Sequence, residues 1–85
     1  MTREEIVDMT NEVFEESFES ASARLVPEAN IFQDLGLDSL DTVDLVVAIQ
    51  KRFDVRIRED ERVRSIRTLN DVYTFIETIQ KERDA

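Results

Sequence analysis

Apolar residues recur along this chain at intervals of three and four, the spacing that lines up one side of an α-helix, and they do so in three stretches. The first holds Ile6, Met9, Val13, Phe14 and Phe18, set among Glu4, Glu5, Asp8, Glu12, Glu15, Glu16 and Glu19. Thr2 and Glu5 stand in the Thr-x-x-Glu order of a capping box, so this helix is predicted to begin at Thr2. The second stretch runs from Ser39 to Phe53, where Leu40, Val43, Val46, Val47, Ile49 and Phe53 form a broad stripe expected to face a core. Asp41, Asp44, Lys51 and Arg52 mark its wet side, and Asp38 is placed to cap it. The third presents Val72, Tyr73, Ile76 and Ile79 behind a Thr68-x-x-Asp71 cap.

From Ser20 to Asp38 the periodicity lapses. Pro27, Asn30 and Gly36 punctuate this segment, yet Leu25, Val26, Ile31, Phe32, Leu35 and Leu37 are apolar enough to pack inward. A loop this long in a small domain is uncommon and generally functional or pinned to the core, so it is expected to be ordered. A short helical segment is expected between Glu59 and Ser65. The fold expected is all-α: a small four-helix bundle with three longer helices, a short third one and a long ordered loop between the first two. Residues 1–85 are read as a single domain.

Charge narrows the choice of partners. Twenty acidic against eleven basic residues leave a net charge of −9, a field that repels phosphate backbones and argues against nucleic acid. The same field steers the protein toward surfaces rich in Lys and Arg. With no Cys and no His, the polypeptide offers no disulfide, no thiol nucleophile and no usual zinc ligand set, so no metal site is expected. The longest apolar run, Leu45 to Ile49, falls far short of a membrane span. The opening "MTREEIVDMT" is acidic and lacks a signal-peptide core, so the expected location is cytoplasmic. No extended apolar patch is evident outside the inferred core, and a monomer is expected.

Candidate chemistry centres on Ser39, wedged between Asp38 and Asp41 in "DLGLDSLDTVDLVVAIQKRF". A nucleophilic serine needs a base to take its proton, usually histidine. Lys51 lies three turns along the same helix, out of reach, and "GLDSLD" is not the Gly-x-Ser-x-Gly elbow. No catalytic constellation exists, so an enzyme is the reading least favoured. Two readings stay open on the residues alone. Ser39 helps to start the helix, or its hydroxyl is the substrate of another enzyme, with an added phosphate facing the positive end of the helix dipole.

The stretch "DLGLDSLDTVDLVVAIQKRFDVRI" resembles the acyl carrier protein family. It holds the Asp34-Leu35-Gly36 turn, the Asp38-Ser39-Leu40 attachment motif and the Phe53-Asp54 pair that ends the second helix; "TLNDVYTFI" resembles the last helix. The resemblance implies a four-helix bundle with a short third helix. It implies that Ser39 accepts 4′-phosphopantetheine from coenzyme A through a separate, magnesium-dependent phosphopantetheinyl transferase. The arm's thiol would hold acyl groups as thioesters, which suits a chain without cysteine. Asp38 would help the transferase to dock, and Gly36 would allow a tight approach to the helix. Asp38, Asp41 and Asp44, with Val47, would meet basic docking patches on synthases and other acyl-transferring enzymes. Val46, Ile49, Val63, Ile66 and Phe75 would line the pocket for the acyl chain.

The chain also departs from that pattern. Gln50, Lys51 and Arg52 stand where the family usually has acids, and Arg56, Arg58, Arg62, Arg64 and Arg67 follow within a short distance. These arginines either pair with the acidic first helix or alter the list of partners; the latter implies a specialised, free-standing carrier rather than the general fatty-acid one. Fatty-acid, lipid and polyketide pathways all fit the motif. Competing readings are an aminoacyl or peptidyl carrier, and a non-carrying acidic helical adaptor.

Overall fold

Reciprocal side-chain caps start the α-helices of this protein, whose computed structural model describes residues 2–17, 25–57 and 61–84. Helix α1 spans Arg3–Ser17, α2 Ser39–Phe53 and α3 Leu69–Asp84, with a 3-10 helix at Glu61–Ser65 before α3. Thr2 Oγ1 accepts the Glu5 N–H at 3.2 Å while Glu5 Oε1 accepts the Thr2 N–H at 3.1 Å. Those two bonds satisfy donors that a helix start leaves orphaned, and the Thr2 N–H and hydroxyl, both donating to Glu5 Oε1 at 3.1 Å, hold that carboxyl below its ordinary range. Asp38 and Asp41 repeat the arrangement for α2, and Thr68 and Asp71 for α3. The expected bounds of α2 are met, and the short third helix is present as the 3-10 turn; Glu59, where it was expected to begin, lies outside the described residues.

Helix α2 ends where Asp54 turns into the left-handed region (φ 53°, ψ 49°) and donates its N–H to the Gln50 carbonyl. A side chain at that conformation costs more than glycine does. Asp54→Gly is therefore expected to raise stability by about 0.5–1 kcal/mol, read as a higher urea midpoint.

Helix α1 packs against both α2 and α3, and the 3-10 helix packs against α3. Among the described residues no Cα of α2 comes within 8 Å of one in α3, so the seam between those two helices is bridged by side chains. The core draws Ile6, Val13 and Phe14 from α1, Leu45, Ile49 and Phe53 from α2, and Leu69, Val72, Tyr73, Phe75, Ile76 and Ile79 from α3. Phe18, expected on the inner face of the first helix, lies outside the described residues. Tyr73 is buried except for its need of a partner, which Asn11 Oδ1 meets at 2.6 Å; burial pushes the phenol's pKa up. Thr10 is wholly buried, and its hydroxyl has no partner among the described residues. Replacing it with the near-isosteric valine removes an unsatisfied oxygen, so Thr10→Val is expected to stabilise by about 1 kcal/mol in denaturant unfolding.

The loop expected from Ser20 to Asp38 is described from Leu25 onward, where main-chain bonds pin it to the start of α3; residues 20–24 lie outside the described residues. Ile31 donates to the Arg67 carbonyl at 2.9 Å, Leu69 to Ala29 at 3.0 Å and Asn70 to Pro27 at 3.0 Å, around a single antiparallel bridge between Asn30 and Thr68. Within the loop, Asn30 Oδ1 accepts the N–H groups of Phe32 and Gln33, and Asp34 Oδ2 accepts that of Asn30. These short-range bonds are the turn chemistry that Asn and Asp favour.

One expectation is corrected. Leu40, Val43 and Val47 do not face the core; they are 76%, 61% and 41% exposed. At about 100° per residue they lie opposite Leu45, Ile49 and Phe53, so α2 is apolar on two sides. An apolar patch thus does exist outside the core, and the ground for expecting a monomer is removed. Of the two readings left open for the arginines after α2, pairing with the acidic α1 is not what the described Arg62 and Arg67 do. Arg62 forks onto Glu82 of α3 with two contacts of 2.9 Å and lies 5.6 Å from the Phe75 ring centre. Arg67 donates to the Arg64 and Ile66 carbonyls. The bond from this side to α1 comes from within α2, Arg52 to Glu12 at 2.7 Å. At the other end, Arg3 binds Glu77, Asn70 and Thr74; with Lys81, which acts more strongly, it lowers the Glu77 pKa. Arg58 lies outside the described residues.

Candidate functional site

The loop delivers the chain to Ser39 in four steps. The Asn30 turn closes, with Asp34 and Leu35 donating to the Asn30 carbonyl. Gly36 then takes φ +75°, which reverses the path. Leu37 is buried and donates to the Ile31 carbonyl at 3.0 Å, anchoring the segment to the core. Asp38, in extended backbone, caps α2, and Ser39 is the first helical residue. A Cβ built on Gly36 would meet no atom within 4 Å, so the expected tight approach is not what calls for glycine there. The positive φ is.

Asp38, not Ser39, satisfies the helix start: its carboxylate takes the Asp41 N–H at 2.9 Å, and its carbonyl takes the N–H and the hydroxyl of Thr42. The Ser39 side chain is exposed and makes no hydrogen bond among the described residues. As first residues of a helix, Ser39 and Leu40 also have N–H groups with no partner inside it. The site is therefore a free hydroxyl beside free N–H donors at the positive end of a helix dipole, a setting that fits a phosphate ester. No basic side chain of the first turn stands ready to activate it, so the hydroxyl can be acted upon but cannot act.

Around it the structure gathers Asp38 and Asp41 at the cap, with Leu40, Val43, Asp44 and Val47 along one exposed face of α2. The pocket candidates sit elsewhere. Ile49, Ile66 and Phe75 are buried, with Val46 and Val63 half-buried against the same core cluster. Val46 and Ile49 come from α2, Val63 from the 3-10 helix, Ile66 from just after it and Phe75 from α3. Leu40 and Val43 are surface residues that periodicity assigned inward; the signal that could have placed them is the width of the apolar stripe, too broad for one buried face. Among the described residues no helix is long and apolar enough to cross a membrane.

The family model for the phosphopantetheine attachment site matches residues 5–76. An acyl carrier protein 2 from Ralstonia nicotianae is 38% identical over 79 residues, covering 93% of this chain and 96% of that protein. An acyl carrier protein from Prochlorococcus marinus is 39% identical over 77 residues, covering 91% and 95%. The crystal structure of an acyl carrier protein from Thermotoga maritima superposes with a TM-score of 0.79 at 29% identity, over 96% of this chain and 94% of that one. Fold and site together define a carrier domain for a phosphopantetheine arm. The chain belongs to the acyl carrier protein family. Its work is that of a carrier rather than an enzyme, with phosphopantetheine as cofactor and acyl groups as covalent cargo for partner enzymes.

Proposed function

We propose that Ser39 is the residue that carries the 4′-phosphopantetheine arm, set there by a separate phosphopantetheinyl transferase using coenzyme A and magnesium. The observation that carries this reading is the division of labour at the head of α2: Asp38 does the capping, so the Ser39 hydroxyl is exposed and uncommitted. The arm supplies a thiol that the chain itself lacks, and thioester chemistry takes place there. Gly36 and Leu37 hold the approach to the site, while Asp38 and Asp41 keep α2 begun at Ser39 and place negative charge beside it. Asp38, Asp41 and Asp44 meet the basic docking patches of the transferase and of acyl-transferring synthases. Val47 joins them, and the exposure of Leu40 and Val43 adds those two to the docking face.

The acyl tail enters the seam where Val46 and Ile49 face Val63, Ile66 and Phe75. The wide spacing of the α2 and α3 backbones supports this, because only side chains need move aside. Residues 1–85 work as one cytoplasmic carrier domain dedicated to a specialised acyl pathway. Complete replacement of the general carrier in a reconstituted fatty-acid synthase would argue against that last point.

The test is intact mass after incubation with coenzyme A, magnesium and a broad phosphopantetheinyl transferase. Gain of one phosphopantetheine by the native protein and none by Ser39→Ala is the expected result. No gain by folded, unmodified native protein, or gain by both, overturns the assignment.

A further inference from the structure

Gln50, Lys51 and Arg52 are the departures at the end of α2, and the fold accounts for two of them. Gln50 Oε1 accepts the Ile57 N–H at 2.8 Å and so fixes the turn that returns Val55 and Ile57 to the core. Arg52 reaches across to Glu12 on α1 at 2.7 Å. Lys51 is exposed and has no partner among the described residues. Its position is not incidental. It follows Val47 by four residues, Asp44 by seven and Leu40 by eleven, which places it on the same outward face of the helix.

That face therefore carries, from the attachment end, Leu40 and Val43 set among the carboxylates of Asp38, Asp41 and Asp44, then Val47, and last an ammonium group. At about 1.5 Å of rise per residue, Lys51 lies about 15 Å from Asp41 and about 10 Å from Asp44 along the axis. The screening length at physiological salt is about 8 Å. The two ends are thus felt by a partner as separate poles, not as one averaged field. A uniformly basic docking patch would gain at the attachment end and be repelled at the far end.

We infer that the partner of this carrier is an acyl-transferring enzyme with a bipolar docking surface: basic next to the mouth of its active site, and carboxylate-bearing about 15 Å further along, opposite Lys51. This rests on the carrier reading above and names the chemistry of the surface that meets α2. Val47 lies between the poles, while Leu40 and Val43 are exposed among the carboxylates of the first.

The experiment is a charge-reversal cycle on loaded carrier. Native protein, Lys51→Ala and Lys51→Glu are converted to the phosphopantetheine form, checked by mass, and offered to a general bacterial β-ketoacyl synthase with a basic docking patch. They are offered as well to a variant of that synthase with one base at the outer end of the patch changed to Glu. With the unaltered synthase, Lys51→Glu is expected to lower KM about three- to tenfold with kcat unchanged, and more at low salt; Lys51→Ala falls between. With the reversed synthase the order inverts, native carrier giving the lowest KM. A KM independent of residue 51, or an order that does not invert, overturns the inference while leaving loading at Ser39 untouched. Failure of native protein to load strikes the carrier reading instead, and is seen by mass before any synthase is added. A concentration-dependent dimer in sedimentation that Lys51→Glu abolishes would assign the face to a second copy and also overturn it.

Discussion

Ser39→Ala is expected to abolish phosphopantetheine loading while the thermal midpoint stays within about 3 °C of the native value. The two halves of this result have different causes. Loading should be lost wholly because, among the described residues, no other hydroxyl stands in the same setting: Thr42, the next along α2, already donates its hydroxyl to the Asp38 carbonyl at 3.1 Å. Stability is kept because the Ser39 side chain makes no hydrogen bond among the described residues and covers nothing in the core. Asp38 is the contrast. Its carboxylate meets the Asp41 N–H, an N-cap interaction that contributes about 1 kcal/mol, so truncation there would mix a folding effect with a loading effect. Circular dichroism with intact mass separates the two. A Ser39→Ala protein that melts much earlier would mean that the hydroxyl has a structural duty; one that still gains mass would move the attachment elsewhere.

Phe14→Ala is expected to cost about 3–5 kcal/mol. The ring has no exposed surface and is among the largest fully buried side chains of the protein. It comes from α1, the helix that packs against both α2 and α3, so the void would open where all three helices meet. A chain of this size holds on the order of 4–13 kcal/mol of stability, and the loss takes a large share of it. In thermal unfolding the midpoint would fall by about 12–40 °C, since each kcal/mol is worth about 4–8 °C in a domain of this length. Phe14→Leu keeps most of the volume and is the control that separates a cavity from a general disturbance. If Phe14→Ala lost less than about 1 kcal/mol in urea, the central packing described for α1 would be wrong.

The legible parts of the fold were those fixed by local chemistry. Three capping boxes mark the helix starts, because a Thr or Asp followed by Glu or Asp three residues on satisfies orphan donors wherever it occurs. The loop was legible as ordered because Ile31 and Leu37 are too apolar to leave in water, and both are buried. What could not be read was direction. Leu40, Val43 and Val47 have the same helical spacing as Leu45, Ile49 and Phe53, and periodicity marks a face without saying whether a core or a partner covers it. Only the positions of α1 and α3 decide between the two. Ala29, Val55, Ile57 and Leu69 are core residues with no periodic signal, since they sit in turns or at the edge of a helix. Thr10 was legible only as polar, although it is wholly buried.

The candidate site divides in the same way. Ser39, Asp38 and Gly36 stand out as a motif, and the geometry adds what each residue does: the cap belongs to Asp38, the left-handed turn to Gly36, and the uncommitted hydroxyl to Ser39. The Arg-rich segment was legible as a charge reversal but not as a set of partners. Arg62 is spent on Glu82, and Lys51, less conspicuous in the sequence, is the base that shares the exposed face of α2.

The hydrogen bonds from Ile31 to Arg67 and from Leu69 to Ala29 have a bearing on how the protein comes into being. A ribosome delivers the loop, Gly36 and Ser39 long before it delivers residues 66–70. Until those later residues emerge, the segment leading to Ser39 lacks the backbone partners that hold it in place. Helix α2 can begin on its own cap, but the platform beneath its first residue is among the last parts of the fold that translation can complete.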